Sequence, residues 1–279
     1  MKQQLNSLYI VSTPIGNLDD ITLRAIEVLN NSDIIICEDT RHSIKLLNHL
    51  KIKKKLISCH KFNEKKQTTE VIKHINQGKI LSLISDAGTP LLSDPGKLLV
   101  NECIKNKINI VPIPGASSIT SAMSVSGFSD QFFFYGFLPK TENELNKVLK
   151  NLSKNSFSIV FFIPAKKVNF YIKSFKNYFS DRKIMIGREI TKIHETFFRE
   201  EIKNLKLFKN SLKGELTVVI SEVNNKIKKF NDKKISIQAR KYLKKYSLKD
   251  TVDLIYQSEK INKKKIYQLC LKIKNEKNN

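Results

Sequence analysis

Short β-branched runs alternate with amphipathic stretches from residue 8 to residue 113, and few architectures accommodate such a chain. The runs at 8–12, 33–37, 55–59, 80–85 and 108–113 are strand candidates. Between them, 20–30 sets Leu23, Ile26 and Leu29 at spacings of three, 41–50 carries Leu46, Leu47 and Leu50, and 95–105 follows an Asp-Pro-Gly start. This alternation predicts a mostly parallel sheet with helices on both faces. The binding crevice of such a sheet lies beyond the carboxyl ends of its strands.

A second strand-helix series follows Gly115, with runs at 132–138, 157–163, 183–188, 195–199 and 215–221. The last three are close in sequence, which permits antiparallel pairing and a mixed sheet. The expected organisation is an N-terminal α/β domain at 1–115, a C-terminal α/β domain at 116–226 and a basic helical tail at 227–279. The break near Gly115 is short, so a cleft rather than a tether is expected between the first two. Beyond a lysine-rich linker at about 224–234, helical patterns occupy 235–246, 248–258 and 262–274. Val252, Leu254 and Ile255, followed by Ile266, Leu269 and Leu271, can close a small helical unit. That unit reads equally as a helix-turn-helix-like RNA-binding appendage or as a solvated tail packed on the main body.

Charge narrows the partners. The 279 residues carry a net charge of +24, with 44 Lys and only 6 Arg, and the last 53 residues alone contribute +11. A gradient of this kind suits a polyanion such as nucleic acid, although an A/T-rich genome also enriches Lys, Asn and Ile. Cys37, Cys59, Cys103 and Cys270 show no CxxC spacing and read as free thiols in a reducing compartment. Cys59-His60 lacks a second ligand pair, so no metal is expected. The 8–11 run is far too short for a signal segment, and no run reaches the roughly 18 apolar residues of a membrane span, so a cytoplasmic protein without membrane contact is expected.

Three strand ends carry turns rich in small residues. Strand one runs into Ser12-Thr13-Pro14-Ile15-Gly16-Asn17, followed by Asp19 and Asp20, either of which can cap the next helix. The turn matches neither GxGxxG nor GxxxxGK[ST], so it is not built for nucleotide phosphates. Strand four delivers Ser85-Asp86-Ala87-Gly88-Thr89-Pro90-Leu91-Leu92-Ser93-Asp94-Pro95-Gly96, a long loop in which a carboxylate with small neighbours can approach a polar ligand. Strand five ends in Pro114-Gly115-Ala116-Ser117-Ser118, a turn that opens a helix. Glu38-Asp39-Thr40-Arg41-His42 after strand two, and His60, Asn63 and Glu64 after strand three, add ionisable groups to the same edge. Singly, each is as well explained by helix capping or a surface ion pair. From the second series, Arg188-Glu189-Ile190-Thr191-Lys192-Ile193-His194-Glu195 brings a dense charge cluster beside a strand.

The runs LYIVSTPIGNLDDIT, CEDTRHS, HKFNE, ISDAGTPLLSDPG, VPIPGASS, YGFLP and GREITKIHE resemble, in this order, the ribosomal RNA small subunit methyltransferase I family of the tetrapyrrole methylase-like superfamily. The resemblance covers about 8–222, and the tail resembles the small helical domain of many members. It implies a two-domain class III S-adenosylmethionine methyltransferase fold with a small C-terminal helical appendage. It also implies S-adenosylmethionine-dependent 2′-O-methylation of a cytidine ribose in the decoding region of 16S rRNA in the small ribosomal subunit, by a homodimer. The cofactor residues it implies are Pro14, Gly16, Asp86, Ala87, Gly88, Thr89, Leu91, Ala116 and Ser117. Around Phe161-Phe162-Ile163-Pro164-Ala165-Lys166 the chain departs from the family, which more usually has tyrosine-glutamate and histidine-arginine pairs about that proline.

A sulfonium already activates the methyl group, so the protein must align the attacking oxygen and take its proton. Asp39, His42 and Glu64 are the candidates for that proton, and Arg41, Arg188 and Lys192 the candidates for RNA phosphates. Two alternatives stand beside this reading. One is a tetrapyrrole-ring methyltransferase of the same superfamily, against which the basic charge argues; the other is a non-catalytic RNA-binding ribosome-assembly factor.

Overall fold

A computed structural model describes residues 6–223, 232–259 and 261–275. Residues 224–231 of the expected linker lie outside the described residues. The chain divides into a unit ending at Val223 and a second unit beginning at Asn224.

The first unit holds two five-stranded sheets. In the first, β1 (Ser7–Val11), β2 (Ile34–Cys37), β3 (Lys55–Ser58), β4 (Leu81–Ile84) and β5 (Asn109–Ile113) pair in the order β3-β2-β4-β1-β5, all parallel. Apolar residues fill both faces of β2, as expected for an inner strand of a covered parallel sheet. Ile34 and Ile36 join one core, with Val71 and Ile75 of α3 (Glu64–Asn76) and Leu99 and Cys103 of α4 (Lys97–Lys105). Ile35 and Cys37 join the other, with Val28 and Leu29 of α1 (Leu23–Asn31) and Leu47 of α2 (Thr40–His49). The result is the α/β/α layering that the alternation predicted. Its strand order sets β1 between β4 and β5, so the turns leaving these three strands are neighbours.

Two helix starts differ from expectation. Thr22, rather than Asp19 or Asp20, caps α1, its Oγ1 accepting from Ala25 N–H at 3.1 Å. The two aspartates instead lie in a 3₁₀ turn capped by Asn17. Helix α3 begins at Glu64 itself, so that residue belongs to a helix and not to an open crevice loop.

The second sheet comprises β6 (Phe132–Phe137), β7 (Ser158–Pro164), β8 (Lys183–Arg188), β9 (Thr196–Glu201) and β10 (Glu215–Ile220), ordered β6-β7-β10-β8-β9. Only β6 and β7 pair in parallel, so the sheet is mixed, as the short spacing of the last three strands implied. One face packs on α6 (Glu142–Leu152) and α7 (Val168–Tyr178) through Leu145, Leu149, Tyr171 and Phe175. The other packs Val160, Met185 and Val219 against Ile119 and Ala122 of α5 (Ser118–Ser126), and Ile15 from the β1 turn joins this cluster. All four cysteines are free and buried.

In the second unit α8 (Asp232–Tyr242), α9 (Leu248–Glu259) and α10 (Lys263–Asn275) enclose their own core of Ile235, Ala239, Val252, Ile255, Ile266 and Cys270. No helix among the described residues is long and apolar enough to cross a membrane.

Candidate active site

The turns after β1, β4 and β5 are stitched together by hydrogen bonds. Thr13 N–H donates to Gly88 O at 2.9 Å and Gly88 N–H returns the bond to Thr13 O at 3.0 Å. Ser12 and Thr89 hydroxyls meet at 3.0 Å, and Thr89 Oγ1 also donates to Ala116 O at 3.3 Å. Two glycines make this closeness possible. A Cβ on Gly115 would sit 2.9 Å from Ser12 Cβ, and Gly88 holds φ +80°, where other residues are strained. Across the gap, Gly16 packs against the loop after β8, where a side chain would collide with Thr191 and Lys192; Asn17 N–H donates to Thr191 Oγ1 at 3.0 Å.

These contacts bound a cavity of about 450 Å³ between the carboxyl edge of the first sheet and the second sheet. From the first sheet, Asp86, Ala87, Gly88 and Thr89 line it, with Glu38 and Asp94; α5 presents Ser117 and Ser118 from its amino end. From the second sheet come Phe162, Glu189, Ile190, Lys192, Glu215 and Thr217. Among the described residues, seven non-glycine positions have positive φ, and four lie on the two loops that face each other here: Leu91, Ser93, Glu189 and Thr191. Strained backbone concentrated at one cavity is a mark of a functional site.

The electrostatics are acidic on one wall. Burial, then the charge of Asp86, raises Glu38 above the usual carboxylate range. Burial, then Glu38, pushes Asp94 up to about 6, against a lowering hydrogen bond from Ser85. On the opposite wall, Lys192 Nζ lies 3.1 Å from Glu189 Oε1 and 4.0 Å from Glu215 Oε2. Glu189 also accepts Glu215 N–H at 3.0 Å. Burial tends to raise the Glu189 carboxyl, but this bond and Lys192 leave it lowered on balance.

The expected site residues divide clearly. Asp86, Ala87, Gly88, Thr89 and Ser117 line the cavity; Pro14, Gly16 and Ala116 form the stitched turns behind it. Leu91 turns inward onto the core against Gly96, and Leu92 takes the lining position. Asp39 caps α2 and holds Arg41 through Nε at 3.1 Å and Nη2 at 2.7 Å, which lowers its carboxyl to about 2. Arg41 is otherwise 88% exposed, and His42 is exposed beside it on the first turn of α2. Neither Asp39 nor His42 lines the cavity. Glu64 accepts from Gly96, Leu98 and Leu99 N–H groups, so its carboxylate caps α4. Arg188 donates to Lys213 O at 3.0 Å, outside the lining, while Lys192 is within it.

Sequence reading gave no role to Glu38 and Asp94, although both stand in the runs it singled out. Nor did it find Glu215 and Thr217, because only the central place of β10 in its sheet brings them to this edge.

The sequence profile of the Tetrapyrrole (Corrin/Porphyrin) Methylases matches residues 7–206. The chain is 42% identical over 220 residues to a ribosomal RNA small subunit methyltransferase I of Thermotoga maritima, covering 78% of this chain and 99% of that one. A protein of the same name from Rickettsia prowazekii is 40% identical over 280 residues, covering 96% of this chain and 98% of its own. Among solved structures, a Thermus thermophilus uroporphyrin-III C-methyl transferase complexed with S-adenyl homocysteine superimposes with a TM-score of 0.55 at 13% identity. That alignment covers 78% of this chain and 98% of the other, and at such identity it speaks for the fold.

Proposed function

This chain belongs to the ribosomal RNA small subunit methyltransferase I family of the tetrapyrrole methylases, and from that premise we propose that it methylates the ribose 2′ oxygen of a cytidine in the decoding region of 16S rRNA, using S-adenosylmethionine. The observation that carries this reading is the cavity and its three stitched turns.

The residues present suit the cofactor. The cavity volume lies within the range of small-molecule sites, roughly 300–1,000 Å³. Glu38, Asp86 and Asp94 give the wall a negative character that favours a sulfonium and an ammonium. The amino end of α5 at Ser117 and Ser118 favours a carboxylate. Ile15, Ile119, Ile190 and Phe162 offer apolar contact for a purine ring. In this reading Asp86, Ala87, Gly88, Thr89 and Ser117 touch the cofactor, while Pro14, Gly16, Leu91 and Ala116 hold the turns in place. When bound, S-adenosylmethionine supplies a methyl group already activated by its sulfonium. The chain's own task is to orient the ribose hydroxyl, exclude water and receive a proton.

The RNA substrate is supported by charge and by one exposed ring. Phe62, in the turn after β3, is 93% exposed and packs edge-on against His60 at 6.1 Å, with Lys61 beside it. Unpaired RNA bases are held by such aromatic faces next to cations. Arg41, Arg188 and Lys192 are assigned to phosphates, and the basic tail of 227–279 to further backbone contact. The division at about residue 115 into two α/β domains, with the cofactor between them, belongs to the same reading. So does a homodimer, which the exposed Phe132 and Phe133 on edge strand β6 favour.

Purified protein incubated with methyl-labelled S-adenosylmethionine and small-subunit RNA should place label on one ribose. Label that persists when the target 2′-OH is replaced by hydrogen overturns the proposal.

A further inference from the structure

The transfer proposed above releases a proton. As a lone pair of the ribose oxygen forms the new bond to the methyl carbon, the carbon–sulfur bond breaks and its electron pair stays on sulfur as a neutral thioether. The hydroxyl proton must then leave the oxygen for a base within reach.

Most carboxylates near the cavity are already committed. Asp39 is bonded to Arg41 through both of its oxygens, and Glu64 accepts three N–H groups of α4. Glu189 is held by Lys192 and by the N–H of Glu215, whose own side chain is largely in solvent. Asp86 accepts the N–H of Asp39 at 3.3 Å. Glu38 and Asp94 remain.

The backbone singles out Asp94. Within 86–96, Leu91 and Ser93 hold φ +72° and +75°, and Gly96 holds +122°. This contorted path buries Leu91 against Gly96 and presents Leu92, Ser93 and Asp94 to the cavity. Non-glycine residues in the left-handed region are kept only where the surroundings impose them. The short aspartate side chain leaves its carboxylate where the backbone aims it, whereas Glu38 has an additional rotatable bond.

We propose that Asp94 accepts the proton of the attacking ribose hydroxyl, with Ser85 as its hydrogen-bond partner; the assignment rests on the methyl transfer proposed above. The ionisable groups facing Asp94 are Glu38 after β2, Asp86 on its own loop and Glu215 at the start of β10. Lys192 lies on the opposite wall, paired with Glu189. Burial and these like charges lift the Asp94 carboxyl to about 6, so it is ionised at neutral pH and still basic enough to bind a proton as the hydroxyl gives one up.

The test compares full-length wild type, Asp94→Asn and Asp94→Glu. Calorimetry with S-adenosylmethionine and gel-shift titration with a decoding-region RNA should give affinities within about threefold of wild type for Asp94→Asn. Its single-turnover methyl transfer should fall by about 10²- to 10⁴-fold. The acid limb of the wild-type pH profile, near 6, should disappear, and Asp94→Glu should recover part of the rate. Independently of activity, carboxyl-carbon NMR of the cofactor-free protein should show Asp94 titrating near pH 6.

An Asp94→Asn rate within threefold of wild type, a persistent acid limb, or a titration midpoint near 4 overturns the assignment. So does a loss of cofactor affinity as large as the loss of rate, which would make Asp94 a binding residue only. A wild-type protein that marks no ribose defeats the functional reading instead, and is distinguished from these outcomes by the absence of any rate to compare.

Discussion

Arg182 and the carboxylates of the cleft are both charges withdrawn from water, yet the fold treats them in opposite ways. Arg182 is 2% exposed, and its guanidinium donates to the carbonyls of Ser153, Asn155, Phe157 and Ser221 while lying over the Phe179 ring. Burial lowers its pKa, and Asp181 and Glu222 push in the opposite direction. Its donors are spent on joining the end of α6, the edge of β7 and the end of β10. Glu38, Asp86 and Asp94 face one another instead, and their mutual repulsion is left in place. A saturated buried charge fixes one packing, whereas an under-compensated cluster keeps binding capacity in reserve for something that comes and goes.

The largest expected effect tests the saturated side. Arg182→Met leaves four carbonyls without their donor, and removing one party to a buried polar network typically costs about 3–5 kcal/mol. Denaturant unfolding should read that loss, while affinity for S-adenosylmethionine, measured where the variant is still folded, stays near wild type. A loss below about 1 kcal/mol would remove the contrast between the two regions.

The contrast also explains what was legible in the sequence. β-branched runs marked every strand to within about two residues, and 183–188 coincides with β8. Small-residue turns marked the cavity's stitched loops because close backbone approach needs glycine and serine, as at Gly16, Gly88 and Gly115. Helix α3 escaped notice because only Val71, Ile72 and Ile75 are apolar in its 13 residues. Glu64 read as a base because it follows a strand, but its N–H partners lie 32 to 35 residues further along. Arg182 looked like an ordinary basic residue ahead of a strand, since its carbonyl partners are 25 to 39 residues away. Local patterns report strands and turns; which charge meets which partner is settled by topology.

The next effect has the opposite sign. Asp94 has its carboxyl raised from an ordinary 3.8 to about 6, so the folded protein binds this proton more tightly than the unfolded chain. Stability contributed by the protonated form is therefore complete below about pH 4 and is lost as pH rises towards 6. Asp94→Asn removes that loss and should stabilise the protein by about 1–2 kcal/mol at pH 7.5, a figure reduced because the neighbouring carboxylates share the strain. At pH 4 the two proteins should unfold together. Destabilisation at pH 7.5 would mean that the aspartate is a structural partner, as Arg182 is.

The smallest effect concerns the cation of the cleft. Lys192 is 35% exposed at its side chain and pairs with Glu189, and its stem packs on Gly16. Lys192→Met keeps the stem and removes only the charge, so its unfolding free energy should change by less than about 1 kcal/mol, the usual scale for a solvated pair. Its RNA affinity should fall and lose part of its salt dependence, because a phosphate contact releases counterions. If this variant instead unfolds as readily as Arg182→Met, the cleft lysine is a structural charge like the arginine, and the division between the two regions fails at the wall where RNA is expected to enter.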